Sequence, residues 1–184
     1  MTERIAADAY MTPPKLARAI CQGLPYSGFK RILEPSCGIG NFLPPIRERW
    51  PEASLTAVEL DPERARASDA LYTDALKLPP SGVFDLVIGN PPFSLASEFV
   101  EWSHGQLVAG GILAFLLKLS FLTGKDRVEN LYSRFPLCSL FPIVGRAAFR
   151  TDVKGTDNHE YGVFVWQKGY IGSALLGNHI AWKD

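Results

Sequence analysis

The sequence predicts an α/β fold: a mainly parallel seven-stranded sheet with an antiparallel last strand and helices on both faces. Three observations predict it. Short apolar runs alternate with segments of helical period through most of the 184 residues. The turns that follow the early runs are rich in glycine, proline and acids, which are the groups found where open α/β sheets bind ligands. The last two runs are joined by a polar loop with no helix-length segment, so they run antiparallel.

Residues 12–23 read as a helix within an N-terminal helical segment, 1–30. Thr12 is an N-cap type, Pro13 suits the first turn, and Leu16, Ala17, Ile20 and Cys21 form an apolar face before Gly23 and Pro25 end it. The first strand covers 31–35, and Ser36-Cys-Gly-Ile-Gly-Asn-Phe-Leu43 turns out of it. Gly38 and Gly40 allow positive φ or close approach to a ligand, and Pro44 and Pro45 fall in the first turn of the next helix. The second strand, 54–60, carries Glu59 near its end, and Asp61-Pro62 caps a helix through about Ala70. Glu59 follows Gly40 at about the 20-residue spacing by which an acid reaches a ribose in dinucleotide-type folds. A short third strand, 71–76, ends near Asp74.

The fourth strand and its turn, Phe84-Asp-Leu-Val-Ile-Gly-Asn-Pro-Pro-Phe93, organise the rest. Leu86 to Ile88 suit a strand buried on both faces, and neither Pro91 nor Pro92 can donate to a ladder, so the strand stops in a stiff turn. That turn presents the Asn90 amide, backbone carbonyls and the Phe93 ring. An amino group on an aromatic ring is a poor nucleophile because its lone pair is delocalised. With the Asn90 oxygen and the Pro91 carbonyl accepting its hydrogens, it pyramidalises and exposes that pair, while Phe93 stacks on the ring. The same four residues also make an ordinary strand-ending turn. Beyond them lie a helix over 95–108 with Phe99, Trp102 and Leu107, a fifth strand 112–117, a helix 125–134, strands 140–149 and 161–167, and a tail 169–184 without a period. Residues 1–184 form a single domain whose sheet core spans 31–168, with no repeat or linker.

Hydrophobic residues make up 47% of the chain, enough for a core, and nineteen basic residues balance nineteen acidic ones. The balance shifts along the chain, from ten basic against thirteen acidic residues up to position 117 to nine against six after it. This excess places phosphate contacts among Lys125, Arg127, Arg146, Arg150 and Lys154. Cys21, Cys37 and Cys138 are widely spaced and His104, His159 and His179 isolated, so no metal site is expected and the thiols read as reduced. No signal peptide or membrane-length apolar stretch is evident, which points to a cytoplasmic protein with no membrane partner.

The ordered set Thr12-Pro-Pro14, Leu33-Glu-Pro-Ser-Cys-Gly-Ile-Gly-Asn-Phe-Leu43, Val58-Glu-Leu-Asp61, Asp74 and Phe84 to Phe93 resembles the γ-class N6-adenine DNA methyltransferases. The match runs from about Tyr10 to Phe93 and loosely through the fifth strand. The resemblance implies a Rossmann-like class I methyltransferase fold and S-adenosylmethionine as cofactor. It places Gly38 and Gly40 at the methionine part, Glu34 and Thr12 at the polar head, Glu59 on the ribose, Leu60 against the adenine ring and Asp74 on its amine. Cys37 and Asn90 complete that set, and Asn90, Pro91, Pro92 and Phe93 become catalytic. Asp85 orients the sheet end. Family members of known type carry a target-recognition domain after the catalytic one. Here only about ninety residues follow Phe93, so recognition falls to loops such as 150–160 with Arg146, or to a partner subunit, or is loose. The size is similar to that of compact phage adenine methyltransferases. Rival readings are an RNA adenine methyltransferase, a protein-glutamine methyltransferase and a non-catalytic cofactor-binding subunit.

Overall fold

The computed structural model describes residues 11–145, 149 and 159–182. Nine strands form one sheet in the order β3-β2-β1-β4-β5-β7-β6-β8, with β9 also paired to β6. The strands are β1 (Arg31–Glu34), β2 (Ser54–Glu59), β3 (Leu71–Tyr72), β4 (Phe84–Gly89), β5 (Leu107–Lys118), β6 (Ser139–Val144), β7 (Tyr161–Gln167), β8 (Leu175–Leu176) and β9 (Ile180–Ala181). The first five pair in parallel and β7 is antiparallel to both β5 and β6.

The expected seven strands are present, and two more extend the sheet from the tail. Each is two residues long, too short to carry a period, and both pair with β6 in parallel. Other boundaries move for local reasons. The third strand stops at Tyr72 because Asp74 caps a 3-10 turn, Ala75–Lys77. The fifth strand starts five residues early, across a register shift opposite Phe84 and Leu86. Residues 125–134 are helical but contain a π turn, Arg127–Leu131, before α5 (Tyr132–Arg134).

Among the described residues, four longer helices precede that segment: α1 (Pro14–Gly23), α2 (Leu43–Arg49), α3 (Pro62–Ser68) and α4 (Ala96–Gln106). Asp61 caps α3 as the sequence predicts, its Oδ1 accepting from the N–H groups of Glu63 (3.0 Å) and Arg64 (2.9 Å). Thr12 does not cap α1; that position falls to Pro13, and the threonine hydroxyl is used elsewhere.

Alternate residues of each strand face opposite cores. Ile32, Leu86, Ile88, Ala114 and Leu116 pack with Leu16, Ile20 and Ile46 of α1 and α2. Leu33, Val87, Leu113, Phe115 and Leu117 pack with Phe99 and Val100 of α4 and with Phe164 and Trp166 of β7. Asp85 ties the opposite end of the sheet, accepting from the N–H groups of Lys30 (2.9 Å) and Arg31 (2.8 Å). The strand order reverses direction between β1 and β4, where the crevice of an open α/β sheet lies. Among the described residues no helix is long and apolar enough to cross a membrane.

Candidate active site

The ends of β1, β2 and β4 meet at that crevice and are tied together by side chains. Glu59 at the end of β2 is buried, and its two oxygens accept from the N–H groups of Gly38 (2.7 Å) and Asp61 (3.0 Å). One carboxylate therefore fixes both the glycine turn after β1 and the start of α3. Gly38 (φ 56°) and Gly40 (φ 85°) are both in the left-handed region. A Cβ on Gly38 would lie 2.8 Å from the Met11 sulfur, so the chain at Met11 crosses directly over this turn.

A second tie runs through Thr12. Its carbonyl accepts from Asn41 Nδ2 (2.8 Å), and its hydroxyl accepts from Asn90 Nδ2 (3.0 Å). The Asn90 amide is thereby oriented with its nitrogen toward Thr12, and Ser36 Oγ donates to the Asn90 carbonyl (3.4 Å). Asn41 and Ser36 were not singled out by sequence reasoning, although both flank the glycine turn that was.

These ties enclose a cavity of about 160 Å³ lined by Thr12, Glu34, Cys37, Gly38, Glu59, Leu60, Asp74, Asn90, Pro91 and Pro92. Gly40 is absent from the lining. Its role is the turn itself, where a Cβ would meet Ser68 Cβ at 3.0 Å and Leu43 Cδ1 at 3.1 Å. Three acids lie along the cavity, and Ile39, Leu60 and Phe99 supply apolar wall. Asp74 doubles as a cap, its Oδ1 accepting from Leu76 N–H (3.1 Å).

Glu34 is the unusual member. It is 2% exposed, its Oε2 has no hydrogen-bond partner among the described residues, and burial, then the charge of Glu59, push its carboxyl well above the ordinary carboxylate range. A buried acceptor lining a cavity without a partner is costly in isolation and is suited to a cationic ligand group. Cys37, hydrogen-bonded with Ser68 Oγ at 3.4 Å, is pushed up by burial to about 12, so it is no nucleophile at neutral pH. The acids, the orphaned Glu34 oxygen and the glycine cradle fit a ligand that carries an ammonium, a ribose and an adenine, as S-adenosylmethionine does. No group of acids, histidines and cysteines among the described residues is arranged to hold a metal ion.

Phe93 lies beside this cavity and not in its lining. Its ring centroid is 5.7 Å from that of Tyr161 and 6.3 Å from that of Phe149, and Lys118 Nζ lies 5.2 Å away. The basic residues assigned to phosphate divide. Lys125 is exposed and pairs loosely with Glu129 (3.9 Å). Arg127 is committed internally: Nε donates to the Phe121 carbonyl (2.8 Å), Nη2 to that of Ser120 (3.2 Å), and the guanidinium sits 4.6 Å over the Phe121 ring. Its sequence position beside a basic excess carried no sign of those carbonyls. Arg146, Arg150 and Lys154, and most of the loop 150–160, lie outside the described residues.

No protein-family model matches the chain. Two curated relatives are Type II methyltransferases: M.XamI of Xanthomonas campestris pv. amaranthicola, 31% identical over 131 residues, and M.TthHB8I of Thermus thermophilus, 36% identical over 133 residues. The matches cover 60% and 67% of this chain, and 25% and 29% of those proteins, so the chain spans less than a third of either. A trans-aconitate 2-methyltransferase of Streptomyces avermitilis is 31% identical over 115 residues, 53% of this chain and 42% of its own. Among solved structures, a predicted O-methyltransferase from Agrobacterium tumefaciens superposes with a TM-score of 0.71 at 18% identity, over 90% of this chain and 86% of its own. A modification subunit of a putative type I restriction enzyme from Vibrio vulnificus YJ016 gives 0.69 at 15% identity, over 91% and 46%. The fold is that of the class I methyltransferases.

Proposed function

We propose that this chain transfers a methyl group from S-adenosylmethionine to the N6 amino group of adenine in DNA. The observation that carries the reading is contiguity: Asn90, Pro91 and Pro92 line the same cavity as Glu34, Glu59 and Asp74. An acceptor held at the Asn-Pro-Pro turn therefore abuts a donor held by the acids. The Type II methyltransferase relatives favour DNA as the acceptor, and the modification subunit among the structural neighbours favours a partner subunit that supplies target recognition.

Glu34 takes the ammonium of the methionine part, Thr12 lies near the same head, Glu59 takes the ribose and Asp74 the adenine amine. When bound, S-adenosylmethionine supplies an electrophilic methyl group on a sulfonium. The chain's own contribution is alignment, and positioning of this kind can stand in for a strong base. Thr12 holds the Asn90 amide so that its oxygen, together with the Pro91 carbonyl, accepts the hydrogens of the target amine. Held so, the target amine would present its lone pair to that methyl group, with the sulfur leaving as a neutral thioether and the surplus proton passing to water. In a duplex the adenine leaves the stack first, at a cost of a few kcal/mol.

The test is transfer from a labelled donor offered duplex DNA, single-stranded DNA, RNA and protein in parallel, followed by nucleoside analysis. N6-methyladenine in DNA is the expected product. Label confined to RNA or to protein glutamine refutes the acceptor assignment, and no transfer to any of them favours a cofactor-binding subunit.

A further inference from the structure

Thr12 turns one polar group toward each half of the site. Its carbonyl accepts from Asn41 Nδ2 (2.8 Å) in the turn after β1, and its hydroxyl accepts from Asn90 Nδ2 (3.0 Å) in the turn after β4. Asn41 follows Gly40 and lines the donor cavity together with Gly38 and Glu59. The turn that carries it is knitted to itself and to β2. Gly40 N–H donates to the Cys37 carbonyl (2.8 Å), Leu43 N–H to that of Gly40 (2.9 Å), and Gly38 N–H to Glu59 (2.7 Å).

Thr12 is equally confined. It is 5% exposed, and behind it stand Pro13 and Pro14, which fix φ, and the buried Leu16 and Ala17 of α1. A threonine is stiff at χ1, so its carbonyl and its hydroxyl move together. A shift of the glycine turn, as when it receives a ligand, therefore reaches the side-chain amide of Asn90 through two hydrogen bonds. Ser36 Oγ, from the same turn, donates to the Asn90 carbonyl at 3.4 Å, which is a longer contact and addresses the backbone instead.

We propose that Asn41 is a positioning residue that couples the two halves of the site. By holding the Thr12 carbonyl, it ties the turn that receives the methyl donor to the amide that receives the target amine, so that bound donor strengthens acceptor binding. By linkage, bound acceptor strengthens donor binding by the same factor. This rests on the adenine-methyltransferase reading. The test uses the full chain and a duplex that the wild type methylates, with affinity for the duplex measured with and without S-adenosylhomocysteine, which has no methyl group to transfer. The wild type should bind the duplex more tightly with S-adenosylhomocysteine present. Asn41→Ala should reduce that ratio roughly two- to twelvefold, the effect of losing one neutral hydrogen bond, and Asn41→Gln, which keeps the amide, should recover part of it. Asn41→Ala should also slow single-turnover transfer at saturating donor by a similar factor, but not in a Thr12→Val background, where the hydroxyl link is already cut. Thermal melts establish folding, and Asn41→Ser takes the place of Asn41→Ala if the latter does not fold. A wild-type ratio of one, or an unchanged ratio in the folded variant, overturns the coupling and leaves the functional reading intact. Equal rate costs with and without the Thr12 hydroxyl overturn the route through Thr12. A wild type that methylates no nucleic acid overturns the functional reading and this inference with it.

Discussion

The hydrogen bond from Asn90 Nδ2 to the Thr12 hydroxyl gives the sharpest test of how the site works, because it separates the group that acts from the group that aims it. On the proposed mechanism, Asn90→Ala removes an acceptor placed for the positive charge that develops on the attacking nitrogen. Loss of one such preorganised partner typically costs ~3–4 kcal/mol, about a hundred- to a thousandfold in rate. Thr12→Val keeps the shape and the carbonyl that holds Asn41, and removes only the hydroxyl. A neutral 3.0 Å hydrogen bond of this kind contributes ~0.5–1.5 kcal/mol, so Thr12→Val should slow transfer roughly two- to twelvefold. If that cost arises through orientation of Asn90, it vanishes in the Asn90→Ala background, giving a coupling energy equal to the whole Thr12 effect. The assay is single-turnover methyl transfer at saturating cofactor, which removes any contribution of Thr12 to the polar head from the rate. Thermal melts confirm that all three variants fold. Equal Thr12→Val costs in both backgrounds refute the aiming role, and wild-type transfer by folded Asn90→Ala refutes the mechanism.

Three further expectations follow from the same geometry. Glu34→Gln should change two pH profiles: because burial raises the Glu34 carboxyl, the folded state holds its proton more tightly than the unfolded chain, so that stability is full at low pH and is lost as pH rises through the raised value. The substitution should flatten this alkaline-side decline in melting temperature, and should also abolish the proton released when the wild type binds a cationic cofactor head, read by calorimetry in buffers of differing ionisation enthalpy. No proton release by the wild type would argue against the ammonium pairing. Gly40→Ala, at φ 85° and 3.0 Å from Ser68 Cβ, should cost ~1–2 kcal/mol, with a melting temperature lower by about 2–8 °C; an unchanged melt would mean that the turn relaxes freely. Glu59→Ala should weaken S-adenosylmethionine binding more than Asp74→Ala, since it also releases the N–H groups of Gly38 and Asp61, and unchanged affinity in both removes the cofactor assignment.

The parts of the molecule legible in the sequence are those set by local rules. Val87-Ile88 followed by Asn90-Pro-Pro can only be a buried strand stopped by prolines, and Asp61 before Pro62 announces a helix start; both hold. What was not legible depends on partners distant in the chain. Thr12 looked like a helix cap because threonine caps helices, but its hydroxyl meets an amide seventy-eight residues away. Arg127 looked like a free cation because no spacing rule reveals that two carbonyls will curl beneath it. Leu175–Leu176 and Ile180–Ala181 are strands only because β6 offers them an edge. Lys118 ends an apolar run, and nothing in that run reveals that its ammonium lies 5.2 Å from the Phe93 ring.

The position of β7 sets a timetable for the nascent chain. It is made after β6 yet lies between β5 and β6, pairing with seven residues of one and four of the other. Every residue named as lining the donor cavity has left the ribosome by Phe99, whereas Tyr161, against which Phe93 and Lys118 are placed, emerges more than sixty residues later. Until then β5 lacks its neighbour on that side, a long apolar edge that invites misdirected pairing. The chain should therefore acquire the means to hold a methyl donor well before it can present an acceptor to it. Ribosome-arrested chains ending before and after residue 167, probed by proteolysis with and without S-adenosylmethionine, would reveal that order; protection appearing only once β7 is out would show that the two halves mature together.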